Sequence, residues 1–316
     1  MYFFRHDRGA PAALLTGGVL AILAAACSPG AQPDAAPEAM SLLGDALYAP
    51  APPEDARRRM EADLAEARST WERDPASADA AIWLGRRTAY LGRYREAIAI
   101  FSRGLDAHPD DPRFYRHRGH RYITVREFDR AIADLERAAS LIEGEPDEIE
   151  PDGQPNERGI PTSTLQSNIW YHLGLARYLE GDFGGAADAW ARARDAVGNP
   201  DNLVAASNWL YLALRRAGRE ADAASVLEPI RADLDVIENG SYHSLLLLYR
   251  GERQLDDLLG AVAEGPSGTA ERYGAGVWLL LEGRADEARA MWEAIVRQPD
   301  WASFGLIAAE AELARR

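Results

Sequence analysis

A period of 34 residues constrains this chain more than any other feature of it. Residues 78–111 carry Leu84-Gly85, Gly92, Tyr94, Ala97, Phe101 and Pro109. The next 34 residues place Tyr115, Gly119, Tyr122, Phe128, Ala131, Leu135 and Ala138 in the same pattern. A third copy, beginning at Ser167, supplies Trp170, Leu173-Gly174, Gly181, Phe183, Ala186, Trp190 and Ala193. A unit this short cannot bury an apolar face alone, so successive units must stack on one another. Each reads as two antiparallel helices. Gly92 and Gly181 end the first helix, where a left-handed backbone is easiest for glycine. Ala97, Ala131 and Ala186 mark the tight crossing, and Gly85, Gly119 and Gly174 let the paired backbones approach.

This pattern resembles the tetratricopeptide repeat. The resemblance implies an all-α, right-handed solenoid of antiparallel helix pairs over residues 54–316. The pattern decays but persists in a unit near Val204, with Leu210, Leu214, Gly218, Ala223 and Leu227, and in another near Thr269, with Gly276, Gly283, Ala288 and Trp292. Between them Tyr242 to Tyr249 is apolar on all sides, as a buried helix is. A helix from Glu54 to Arg73, with Met60, Leu64, Ala67 and Trp71 on one face, caps one end in this reading. Trp301 to Arg316 resembles the solvating helix that caps the other. Trp170, Trp190 and Trp292 fall on repeat positions that pack the core.

Composition removes several functions. All 35 basic residues are arginine, so a phosphate-loop lysine, a Schiff-base nucleophile and a pyridoxal attachment site are all missing. A formal charge of −15 repels nucleic acid in general. The only cysteine, Cys27, leaves no intrachain disulfide and no thiolate metal cluster. There is no nucleophile-elbow serine, paired-histidine protease helix or glycine-rich phosphate loop. No cofactor and no enzymatic activity are expected.

Residues 1–26 read as a signal peptide: Arg5 and Arg8, then an apolar run from Ala12 to Ala26 broken only by Thr16, Gly17 and Gly18. That run is shorter than the roughly 20 residues a membrane-spanning helix needs. Leu23-Ala24-Ala25-Ala26-Cys27 resembles the lipobox of bacterial lipoproteins, which implies lipidation of Cys27 and membrane attachment through that lipid alone. Ala24 departs from the leucine commonest there, so simple cleavage after Ala26 with release to the periplasm or exterior is the alternative. Ser28, by analogy, leans towards the outer membrane. Residues 27–53 hold six prolines among many alanines after the cysteine, the composition of an extended tether. Its apolar patch of Met40, Leu42, Leu43, Leu47 and Tyr48 is expected to dock on the body as a short helix.

In tetratricopeptide proteins the first helices line a concave surface that binds peptides or partner helices. The resemblance places Ile82, Arg86 and Tyr90 there from the first unit, and Arg113, Arg116, His120, Ile123 and Thr124 from the second. The third contributes Asn168, Tyr171, Leu175 and Tyr178, and the fourth Asn208, Leu212, Arg215 and Arg216. Guanidinium forks bind carboxylates bidentately, so the expected partner is an acidic peptide or protein. The helix from Arg113 to Tyr122 concentrates four arginines and two histidines, a crowding that calls for a facing acid. An insertion at 143–166, carrying Glu143, Glu145, Asp147, Glu148, Glu150 and Asp152, can supply it as a salt-bridged flap over the groove; loops this long inside a tight array are commonly lids. Glu148 to Gly153 resembles a calcium loop only in part, with Gly159 where the bidentate acid belongs. His117, His120 and His172 are too few and too close to arginine for zinc. The expected function is a non-catalytic interaction scaffold of the cell envelope; the alternative is a hydrolase or carbohydrate-binding envelope protein with its site under the insertion.

Overall fold

In a computed structural model of the chain, the described residues are 36–153, 155–262 and 265–315. The signal peptide, Cys27 and the start of the tether lie outside them. The described residues form fourteen helices and one two-stranded hairpin. Six helix pairs follow one another: α2 (Ala78–Tyr90) with α3 (Tyr94–Ala107), α4 (Pro112–Thr124) with α5 (Phe128–Leu141), and α6 (Leu165–Glu180) with α7 (Phe183–Ala196). The series continues with α8 (Pro200–Arg216) and α9 (Glu220–Val226), α10 (Gly240–Tyr249) and α11 (Leu255–Gly260), and α12 (Pro266–Leu281) and α13 (Ala285–Ile295). Helix α1 (Glu54–Arg73) flanks the first pair, and α14 (Phe304–Ala314) follows the last. Each first helix packs on its own partner and on the first helix of the next pair, from α2 on α4 to α6 on α8. The fold is an all-α helical solenoid.

One packing rule recurs through the array. A first-helix glycine faces a large side chain sixteen positions further on: Gly85 faces Phe101, Gly119 faces Leu135, Gly174 faces Trp190 and Gly276 faces Trp292. A methyl group at Gly174 would lie 2.7 Å from the Trp190 ring. The space left by the missing side chain is thus taken by the neighbouring helix's side chain, and close backbone contact is not its use. Phe101, Leu135 and Trp190 are almost wholly buried as a result. Trp292 is buried as well, and Trp170 packs partly buried against the core.

The array closes on itself. Helix α14 was expected to be a solvated cap; it is instead a buried helix packed on α12, α13 and α6. Leu306, Ile307, Ala308, Ala309 and Ala311 are core residues, and so are the carboxylates Glu310 and Glu312. Glu310 pairs with Arg126 at 2.8 Å, each side chain 3% exposed. Arg126 also donates to the carbonyls of Thr124 and Trp301. It occupies the repeat position of Gly92 and is the one non-glycine residue with positive φ (64°) among the described residues. A left-handed conformation costs an L-residue about 1–2 kcal/mol, which the four guanidinium bonds to Glu310, Thr124 and Trp301 offset. Glu312 receives Arg216 (2.8 Å) and Arg315 (2.6 Å).

The segment read as a tether to residue 53 is ordered on the body from residue 36, and its apolar patch docks as a hairpin, not a helix. Strand β1 (Ala39–Met40) pairs antiparallel with β2 (Ala46–Leu47). The Arg95 amide donates to the Glu38 carboxylate, the Trp301 indole donates to the Tyr48 carbonyl, and the Leu42 amide donates to Glu310. Ala39 is buried, and Leu42 and Leu47 pack on the core, whereas Met40, Leu43 and Tyr48 stay exposed. A run this short with Gly44 at its turn cannot make a stable helix, and strand alternation divides its apolar residues, the paired Ala39 and Leu47 turning to the body and Met40 outward.

Two substitutions test this account by urea denaturation. Glu310→Ala leaves Arg126 as an unpaired buried cation and is expected to remove about 3–5 kcal/mol of stability. Gly174→Leu drives a side chain into Trp190 and is expected to remove about 1–3 kcal/mol or more.

A basic cavity under the acidic insertion

Helix α4 begins at Asp111, whose carboxylate caps the Arg113 amide, with Pro112 in the first turn. Spacings of three and four then bring Arg116, His117, His120 and Arg121 to one side of it. That side faces Arg86 and Tyr90, one turn apart on α2. Together with Ala89, Phe101 and Glu150 they enclose a cavity of about 110 Å³.

The insertion closes it. The Arg116 Nε lies 2.9 Å from the Glu150 carboxylate, with both side chains about nine-tenths buried (8% and 10% exposed). The angle is too poor for a hydrogen bond at either atom. Arg86 donates to the Pro151 carbonyl (2.8 Å) and to the Tyr90 hydroxyl (3.3 Å), and Arg87 donates to the Gly153 carbonyl (3.1 Å). Gly153 sits directly against the Tyr90 hydroxyl, where any side chain would collide. The insertion is pinned at its far end by Asp147, which accepts from Thr164 and the Gln166 amide, and by a bridge between Ile149 and Thr164. The stretch that partly resembled a calcium loop therefore turns two of its carbonyls towards arginines, the reverse of a cation site.

The arginines of α4 part company. Arg113 bonds Asp111 and Asp79 outside the cavity, and Arg118 turns to Asp134 and Ser102 on the opposite face. Arg116 has Glu150. The Arg121 guanidinium makes no hydrogen bond and no ion pair among the described residues; it lies 5.5 Å from the centre of the Tyr94 ring. Burial, reinforced by Arg116 and Arg86, pushes it down to about 10, so it remains charged at neutral pH.

The histidines are neutral. Arg116 donates to Nδ1 of both His117 and His120 (3.2 and 3.4 Å). His172 sits 4.4 Å from His120, centre to centre, and Phe304 of α14 packs against both rings. Burial first, and then the neighbouring guanidinium charges, hold all three well below the ordinary imidazole value. Among the described residues no three His, Cys, Asp or Glu side chains converge as metal ligands would.

Of the residues expected on the groove, Arg86, Tyr90, Arg116 and His120 meet at this cavity. Arg113 lines a neighbouring pocket with Asp79, Glu148 and Ile149. Asn168 and Tyr171 line a separate depression of about 300 Å³, with Asn168 donating to Ser163 and Tyr171 to Tyr242. The rest are corrections. Tyr178 is completely buried, its ring among Trp190, Trp209 and Tyr273. Asn208 is buried and accepts from Tyr249. Arg216 is taken by Glu312, and Arg215 by the Tyr211 hydroxyl. Ile123, Leu175 and Leu212 have no exposure at all. For Tyr178, Asn208 and Arg216 the reason is that α14 and the later pairs cover the first-helix surface that an open array would expose. Missed beforehand were the cavity roles of His117 and Arg121 and the latch of Arg126 with Glu310. The visible signal for the latch was an arginine standing where the repeat has glycine.

The period, the paired helices and the glycine-to-ring packing define a tetratricopeptide-type array. No protein-family profile matches the chain, and no curated protein matches it. Solved structures that resemble it are tetratricopeptide proteins. MamA from AMB-1 is 19% identical, with a TM-score of 0.40, over 54% of this chain and 87% of its own. YrrB, described as a TPR protein with an unusual peptide-binding site, is 15% identical, with a TM-score of 0.41, over 78% of this chain and 97% of its own. Kinesin light chain TPR-like repeats from Podosopora anserina are 14% identical, with a TM-score of 0.42, over 70% and 93%. At these values no site passes from them to this chain.

The buried neutral histidines give stability a pH dependence. Unfolded, they take up protons near pH 6.5; folded, they resist until well below it. The unfolded chain thus binds more protons as pH falls through 6.5, so stability is full above that value and lost below it. Thermal unfolding followed by circular dichroism should show the midpoint dropping by several degrees between pH 7.5 and 5.5, with a smaller drop in His120→Asn.

Proposed function

We propose that the chain is a non-catalytic interaction scaffold that receives an acidic segment of a partner protein at the face made by Arg86, Arg116 and His120. The observation that carries this reading is that the face already holds such a segment, the chain's own Glu148–Gly153. Its carboxylate Glu150 sits on Arg116, and its carbonyls accept from Arg86 and Arg87. A site that takes an extended acidic stretch in cis has the chemistry to take one in trans, because guanidinium forks recognise carboxylate and carbonyl oxygens alike. Peptide binding by tetratricopeptide arrays in general supports the coarser half of the proposal.

A hydrolase under the insertion is less well supported. The depression beside Asn168 and Tyr171 has Glu238 as its carboxylate, already bonded by Asn156 and Thr162, and two-carboxylate hydrolysis requires a second acid across the substrate. Export and attachment through a lipid on Cys27 complete the proposal, on the strength of the apolar leader and the Leu23–Cys27 motif.

The test of the site uses a fluorescent peptide with the sequence of residues 143–153, titrated into the mature chain. Glu150→Gln weakens the resident contact and is expected to bind it at least tenfold more tightly than the wild type. Arg86→Glu, at a half-exposed position, should abolish binding with unchanged circular dichroism. Equal affinity in all three proteins would remove the proposal. For the anchor, incorporation of an alkyne-tagged fatty acid in cells should be seen in the wild type and lost in Cys27→Ser; labelling of neither leaves simple cleavage.

A further inference from the structure

The basic cavity holds more positive charge than the described residues answer. Arg86, Arg116 and Arg121 line it, Glu150 is its single carboxylate, and the histidines are neutral. The walls therefore carry a net charge of two positive units. Arg116 is buried while Arg86 and Arg121 are partly exposed, and like charges gathered at one cavity repel one another unless an anion answers them. The surplus is concentrated on Arg121, whose guanidinium has no hydrogen bond or ion pair among the described residues. The Arg116 Nε adds a second unsatisfied donor, buried and without a well-aligned acceptor. With Arg116 donating to their Nδ1 atoms, His117 and His120 carry their protons on Nε2, so the imidazoles also offer N–H groups. The lining is rich in donors and poor in acceptors.

We propose that this cavity binds a small tetrahedral dianion of the phosphate type, held chiefly by Arg121 and Arg116 with Arg86 and His117 completing its shell. Three features select that class. Two negative charges neutralise the walls with Glu150 in place, whereas a single carboxylate leaves one positive charge unanswered. Four oxygens match a donor-rich lining. The volume of about 110 Å³ holds roughly four oxygen-sized groups, at about 30 Å³ per water, which admits one such anion. The proposal does not rest on the acidic-partner reading: the two share Arg86 and Arg116, but the dianion is proposed with Glu150 in place and turns on Arg121, which the partner face does not include.

The experiment is isothermal titration and thermal unfolding of the full chain in detergent at pH 7.5, with inorganic phosphate against chloride at equal ionic strength. A parallel arm uses O-phosphoserine in place of the free ion. The wild type is expected to bind one phosphate and to unfold at a higher temperature in phosphate than in chloride. Arg121→Gln should bind at least tenfold more weakly and lose that rise. In chloride, Arg121→Gln should unfold at the same temperature as the wild type or higher, because it removes an unanswered cation; a merely structural arginine would give the opposite sign. Binding of phosphoserine without binding of inorganic phosphate would assign the site to an esterified phosphoryl group and overturn the free ion as its source. No binding of either, or a phosphate effect retained in Arg121→Gln, would overturn the proposal. The peptide titration, run in phosphate-free buffer, succeeds or fails separately.

Discussion

The burial of two carboxylates on α14 is the constraint on which the rest of this molecule depends. An array of helix pairs ordinarily leaves its concave surface to solvent or to a partner. Here Leu306, Ile307 and the alanines of α14 fill that surface, and Glu310 and Glu312 enter with them. Removing an apolar side chain of leucine size from water contributes about 1.5–3 kcal/mol, but a buried carboxylate without a counter-charge would undo several such gains. Arg126 and Arg216 therefore have to stand where they do, one of them in a left-handed backbone conformation that the other repeats reserve for glycine. The same closure gives the N-terminal hairpin its seat, since Trp301 and Glu310 bond it directly.

Arginine suits a structure built in this way. Its guanidinium is weakly hydrated and offers five donors, so one side chain can satisfy a carboxylate and backbone carbonyls together while packing on a ring. Arg126 does all three, bonding Glu310 and two carbonyls and lying over Trp301. Arg315 bonds Glu312 and the carbonyls of Tyr178 and Leu179. Against these fully matched cases Arg121 stands out, because the same chemistry is present and the acceptors are not. A mismatch of that kind at the wall of a cavity is where a ligand's oxygens have a place.

The insertion between the second and third pairs converts a surface into a chamber. Without it, Arg86, Arg116 and His120 would form an open basic strip; with it, Glu150 and the backbone of Pro151 and Gly153 form a roof. The roof is held by hydrogen bonds and one ion pair, and its apolar residue Ile149 is largely exposed. It has little apolar burial to keep it in place, unlike α14, and segments with few buried apolar contacts open at low free energy. The two coverings of the concave side thus differ in kind: α14 is part of the core, whereas the insertion is a polar closure.

How much of this was legible follows from the range of each interaction. Helix positions and the crowding of arginine on α4 are written in short-range spacing, so the sequence alone determined an all-α repeat array with one strongly basic helix and an acidic insertion beside it. Periodicity says which face of a helix is apolar, but not what comes to lie on it. The closure was decided by the tertiary structure, because α14 meets α6 and Arg126 meets Glu310 across 184 positions of chain, and no local pattern records such a meeting. For the same reason Tyr178, Asn208 and Arg216 read as groove residues and are buried or paired, while Arg121, indistinguishable in sequence from its neighbours, is the arginine of α4 left without an acid among the described residues. Spacing along the chain assigns residues to a face; only the folded array determines which faces are covered and which charges are answered.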